Sequence, residues 1–105
     1  MAAPTPDEIR TAAGQPGAVI LDVRTKDEIA AAPFTKKPYK HATCSLDDSS
    51  ELLEKADELM PDKNAPVVIF CRSGRRAGKA KELLEERGYK TVLNAGGLSD
   101  IDAVF

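Results

Sequence analysis

Between Pro66 and Gly78 the chain changes its periodicity within a few residues. Val67-Val68-Ile69-Phe70 is a run of apolar, mostly β-branched or aromatic residues and predicts a short buried strand. From Arg76 onward the apolar spacing becomes helical. Ala77, Ala80, Leu83, Leu84 and Arg87 fall on one stripe, and Gly88 is the expected C-terminal stop. Cys71 therefore sits where a strand hands over to a helix N-terminus. Backbone N–H groups at such a turn lack helical partners, and the positive end of the helix dipole points into it. The turn favours an anion.

The rest of the chain repeats the alternation of strand and helix. Thr5-Pro6-Asp7-Glu8 carries a capping box with proline at the first helical position, and the helix is predicted to run to about Ala13 before Gly14, Pro16 and Gly17. Ala18 to Val23 reads as a strand buried on both faces of a parallel sheet. Thr25-Lys26-Asp27-Glu28 opens a second capped helix through Ala32, and Pro33 to Lys40 is a loop. His41 to Leu46 is predicted as a short strand. Asp48-Ser49-Ser50-Glu51 starts a third capped helix, with Leu52, Leu53, Ala56, Leu59 and Met60 inward. Thr91 to Asn94 is the final strand, Gly96-Gly97 turns the chain, and Leu98 to Val104 forms a last helix. The pattern predicts one compact α/β domain over residues 1–105, with a central parallel sheet of four to five strands.

A lone cysteine after an apolar strand is most often a small buried residue. Arg72, Arg75 and Arg76 shift that balance, because they follow Cys71 with Lys79 and Lys81 beyond them and no acidic residue before Glu82. A free thiol has a pKa of about 8.5, which cations and a helix N-terminus lower, so a thiolate is expected at neutral pH. Ser73 and Gly74 let the backbone curl around the sulfur. Asp22 and Arg24 end the other buried strand, on the edge where open α/β sheets carry their sites.

Cys71-Arg72-Ser73-Gly74-Arg75-Arg76-Ala77-Gly78, with Leu21-Asp22-Val23-Arg24 upstream and Asn94-Ala95-Gly96-Gly97-Leu98 downstream, resembles the rhodanese family of sulfurtransferases in its small single-domain form. The resemblance covers residues from about 18 to about 101. It implies that Cys71 takes sulfur from thiosulfate or another persulfide donor, is carried as a persulfide, and passes the sulfur to cyanide or a thiol. It implies that Arg72, Ser73, Gly74, Arg75 and Arg76 bind the substrate, with Asp22 and Arg24 supporting the loop. His41 matches the family histidine, whose value is structural. No cofactor and no metal are implied.

Several alternatives stay open on the sequence. The same fold hosts phosphatases and arsenate reductases, but the loop here is Cys-x4-Arg, closing at Arg76, where those enzymes use Cys-x5-Arg; Phe70 also stands where tyrosine phosphatases place histidine. A persulfide carrier or interaction module serving one protein partner would use the same chemistry. Cys44 reads as buried filler, with a resolving thiol as the second reading.

Composition removes other classes. The chain has 15 basic and 17 acidic residues, a net charge of −2, which argues against nucleic acid as the main partner. No stretch approaches the roughly 20 apolar residues of a membrane span, and Met1 to Thr5 lacks the basic and apolar regions of a signal peptide. A cytoplasmic protein is expected, or one from which a targeting segment was removed. Two cysteines and one histidine are too few for a disulfide scaffold or a structural zinc site.

Overall fold

The computed structural model describes residues 3–105. Met1 and Ala2, which begin the segment read above as lacking a leader, lie outside the described residues. The elements in order are α1 (Pro6–Ala13), β1 (Val19–Asp22), α2 (Lys26–Ala31), β2 (Lys40–His41), α3 (Ser50–Leu59), β3 (Val67–Cys71), α4 (Arg75–Glu86), β4 (Val92–Gly97) and α5 (Leu98–Val104). The four strands form one parallel sheet in the order β2-β1-β3-β4. The chain leaves β1 toward β2 and then returns to place β3 on β1's other side. That reversal sets the switch point of the sheet between β1 and β3, where crevices open in α/β folds.

Alternate side chains of β3 enter two separate cores. Val67, Ile69 and Cys71 pack with Leu52 and Ala56 of α3 and with Ala77, Ala80 and Leu84 of α4. Val68 and Phe70 pack with Ile9 of α1 and with Ile101 and Val104 of α5. This two-sided burial is why the strand carries no polar residue. It also makes Cys71 the last apolar-facing position before the chain enters the loop.

Local chemistry accounts for the helix starts. Thr5 Oγ1 accepts the Glu8 N–H at 3.2 Å while Glu8 Oε1 accepts the Thr5 N–H at 2.9 Å, and Thr25 and Glu28 repeat the exchange at 3.2 and 3.0 Å. At the end of α4, Gly88 takes φ 100°, the Tyr89 N–H reaches the Leu84 carbonyl and the Gly88 N–H reaches that of Glu85. This is the Schellman closure that the glycine signalled.

Three expectations need correction. The strand predicted over His41 to Leu46 is instead Lys40–His41. The Ala42 and Cys44 N–H groups still bond to the carbonyls of Asp22 and Val23, but the Arg24 carbonyl beyond them is contacted by the His41 ring and the Thr43 hydroxyl, at 2.7 and 3.2 Å, and the outward Thr43 N–H donates to Glu51 Oε2 at 2.8 Å, so the regular ladder stops. That diversion also explains the second correction. Glu51 is occupied with Thr43 and closes no capping box, and Ser49 makes no side-chain cap; Asp48 Oδ1 accepts the Ser50 N–H at 3.0 Å instead. Third, the final strand does not stop at Asn94, although Gly96, at φ 87°, and Gly97, which caps α5, do turn the chain at its end. β4 runs through both glycines, and a register shift in its pairing with β3 sets Gly97 opposite Cys71.

Candidate active site

Cys71 ends β3 with no exposed surface. The loop that follows curls back, and the Gly74 N–H donates to Cys71 Sγ at 2.9 Å. The sharpness of this curl depends on Gly74, which has φ 96° and so occupies the left-handed region. A Cβ there would also stand 3.2 Å from Gly96 Cα. Gly97 is under a harder constraint, because any side chain on it would collide with the Arg72 carbonyl. The Asn-Ala-Gly-Gly stretch is thus the wall against which the cysteine loop is moulded.

Asn94 fastens that wall to the loop. Its Nδ2 donates to the Gly74 carbonyl at 2.9 Å and its Oδ1 accepts the Gly96 N–H at 2.9 Å. In the sequence Asn94 stands only as one member of the Asn94-Ala95-Gly96-Gly97-Leu98 motif, since its partner Gly74 lies 20 residues away. The asparagine between a strand and two glycines was the available signal.

Of the three loop arginines, Arg72 and Arg75 are exposed. Arg76 is not free in the same sense. Its Nη1 and Nη2 donate to Glu28 Oε1 and Oε2 at 2.7 and 2.8 Å, a bidentate pair between the first turn of α4 and α2. The Arg76 hydrogen bonds hold the Glu28 carboxyl down at about 2, and Glu28 in turn raises Arg76 above its already high range. Reading acidic residues along the sequence after Cys71 missed Glu28, which lies 48 positions from Arg76.

Asp22 and Arg24 form a buried pair behind the loop. Arg24 Nε and Nη2 donate to the Asp22 carboxylate at 2.9 to 3.1 Å, and the Arg24 N–H donates to Asp22 Oδ1 at 2.9 Å. Arg24 Nη1 reaches on to the Ala32 carbonyl at 2.7 Å, and its guanidinium lies 5.5 Å from the centre of the Phe70 ring. This arginine is therefore a clamp that closes the far end of α2 onto β1. His41 Nε2 lies 2.7 Å from the Arg24 carbonyl and 3.1 Å from Thr43 Oγ1, so its contacts are with the same strand end.

Cys44 is fully buried in the core that holds Cys71, and burial pushes its thiol pKa up. Lys79 and Arg76 oppose that shift without reversing it. Lys79 Nζ donates to the Leu46 carbonyl, which ties the loop after Cys44 to α4. A groove of about 630 Å³ borders the outer side of the cysteine loop, lined by Ser73, Arg75, Asn94 and Asp100 with Ile9 and Val104. Cys71 is not among its lining residues, so the hydrogen bond to the sulfur and the loop charges define the site rather than this groove. Among the described residues, no cluster of three His, Cys, Asp or Glu side chains could hold a metal.

A family model for the rhodanese-like domain matches residues 5–103. The chain belongs to the rhodanese family. Over 51 residues this rhodanese is 51% identical to thiosulfate sulfurtransferase PspE of Escherichia coli, a match that covers 49% of each chain. It is 28% identical over 90 residues to the thiosulfate:glutathione sulfurtransferase of Saccharomyces cerevisiae, covering 81% of this chain and 65% of the yeast protein. The match thus spans about half of the bacterial relative and just under two thirds of the yeast one. A solved structure described as a rhodanese with anions from E. coli superposes with a TM-score of 0.61 at 35% identity, over 79% of this chain and 89% of that one. No helix among the described residues is long and apolar enough to cross a membrane.

Proposed function

We propose that this rhodanese moves sulfane sulfur from an anionic donor, thiosulfate or another persulfide donor, to a thiol or cyanide through a persulfide on Cys71. The observation that carries the reading is the Gly74 N–H aimed at Cys71 Sγ at 2.9 Å, inside a loop that also bears Arg72, Arg75 and Arg76. The names of the bacterial and yeast relatives, which include thiosulfate and glutathione, support the same donor and acceptor classes.

The thiolate is the form of cysteine that attacks. Cys71 S⁻ bonds to the outer sulfur of thiosulfate, the sulfur–sulfur bond of thiosulfate breaks, and its electron pair leaves with sulfite. The negative charge then rests on the terminal persulfide sulfur, where the loop N–H groups and the helix N-terminus stabilise it. A thiolate or cyanide attacks that terminal sulfur, the bond to Cys71 Sγ breaks, and the cysteine thiolate is restored. Two such half-reactions predict ping-pong kinetics. In this reading Arg72, Ser73, Gly74, Arg75 and Arg76 bind the donor, Asp22 and Arg24 hold the architecture behind them, and no cofactor takes part. Two free cysteines suit a reducing compartment such as the cytoplasm.

The test is intact mass of the reduced protein after incubation with thiosulfate, beside Cys71→Ser, followed by cyanide and a thiocyanate assay. The expected result is a gain of one sulfur, about 32 Da, that depends on the Cys71 thiolate as nucleophile and is lost as thiocyanate forms. No gain from thiosulfate or from a protein persulfide donor overturns the reading.

A further inference from the structure

The sequence presents three arginines next to Cys71, whereas the fold presents two with an uncompensated charge and one with its charge matched. Among the described residues, Arg72 and Arg75 form no ion pair, and Arg76 is engaged by both oxygens of Glu28. The side chains of Arg76 and Glu28 retain only 20% and 26% of their exposure, so solvent screens the pair less than a surface bridge. Glu28 is also held from its own side. Its Oε1 accepts the Thr25 N–H and hydroxyl at 3.0 and 3.1 Å, and Arg24 anchors the end of α2 through the Ala32 carbonyl.

We propose that Glu28 is a specificity-determining residue: by matching the charge of Arg76 it lowers the affinity of the loop for compact dianions and favours sulfur donors whose reacting end is a monoanionic persulfide. This rests on the sulfur-transfer reading and names the donor class within it. The physical reason is charge balance. Arg76 feels Cys71 and Asp22 electrostatically and stands on the first turn of α4, so its charge acts on whatever anion occupies the loop. With Glu28 in place that charge is paired, and a tetrahedral dianion such as sulfate meets two unpaired guanidinium groups rather than three. A persulfide, with one charge to neutralise, loses less by this than a dianion does. Arg76 keeps three of its five N–H groups outside the pair, so it remains able to orient a donor without contributing a full unpaired charge.

The experiment separates this proposal from the sulfur-transfer reading by measuring binding without turnover. In a Cys71→Ser background, sulfate affinity is followed by the amide shift of Gly74, with Glu28 intact, as Glu28→Gln and as Glu28→Asp. The expected result is sulfate binding about five- to tenfold tighter in Glu28→Gln, the order of effect of a unit charge about 4 Å away when screened as in bulk water, and intermediate in Glu28→Asp. In the protein that retains Cys71, Glu28→Gln should raise kcat/KM for thiosulfate by a similar factor and that for 2-mercaptoethanol persulfide by only about two- to threefold, the half-sized effect on a single charge. A merely structural pair predicts a different pattern, with sulfate binding and both donors weakened together as melting temperature falls. Sulfate affinity that is unchanged, weaker, or absent in all three proteins overturns the proposal. Should Glu28→Gln fail to fold, Glu28→Asp decides alone, and affinity no tighter than with Glu28 intact overturns it.

Discussion

Asn94 and Gly74 are joined by a 2.9 Å hydrogen bond from the asparagine Nδ2 to the glycine carbonyl, and the N–H of that same glycine faces Cys71 Sγ. The peptide groups on either side of one left-handed residue are thus fixed from opposite directions. Asn94→Ala removes the outer fixation while leaving the cysteine and every loop charge in place. We expect a stability loss of about 1–2 kcal/mol, the usual cost of a part-buried hydrogen bond, and a larger proportional loss in kcat than in thiosulfate KM. Steady-state kinetics beside a thermal melt checks this, and unchanged kcat in a destabilised protein would count against it.

Breaking the Asp22–Arg24 pair should be far more damaging. Both side chains are essentially without exposure, and either one left alone is a buried charge. Asp22→Asn or Arg24→Leu is expected to cost about 3–5 kcal/mol, a large part of the total for a domain of this size. The measurement is the urea midpoint at constant slope. A shift worth under about 1 kcal/mol would mean the clamp is dispensable.

Acid should dissolve the Glu28–Arg76 bridge in a defined window. The Glu28 carboxyl is depressed from 4.5 to about 2, chiefly by the Arg76 hydrogen bonds. A depressed carboxyl contributes stability that is fully present above its unfolded value and is lost as pH falls through its folded value. The difference in melting temperature between the native chain and Glu28→Gln is therefore expected to be flat from pH 7 to 5. It should shrink below 4.5 and be nearly gone by about 2. A difference that fades between pH 7 and 5 would assign the effect to another group.

Cys44 is expected to play no part in sulfur transfer. Burial raises its thiol pKa, and it lies fully enclosed, its N–H bonded to the Val23 carbonyl just past the end of β1. Cys44→Ala should cost about 1 kcal/mol, the centre of the distribution for point mutants, and leave both persulfide loading and its discharge by thiols unchanged. Loading that persists while discharge slows at least tenfold would restore the resolving-thiol reading.

The strand and helix framework was legible because it is written in local chemistry: Thr5 with Glu8, Thr25 with Glu28, the β3 run, and the Gly88 stop all act within a few residues. Errors arose where a distant group competes for a local one. Thr43 draws Glu51 out of its own cap, and the register shift keeps Gly97 in the sheet opposite Cys71. The cysteine and its arginines were visible for the same reason that the helices were, since they share one turn of chain. The Glu28 pairing and the Asn94 brace were not, because no spacing rule ties residues on separate elements into contact.

The 48-residue separation of Glu28 and Arg76 also has a meaning in time. During synthesis the carboxylate leaves the ribosome well before the loop it will moderate, and only closure of α4 onto α2 brings them together. Until then the cysteine stands in an open chain beside three unmatched guanidinium groups. The discrimination at this sulfur is thus an acquisition of the folded state, and any event that loosens α2 returns the loop to the character of its bare sequence.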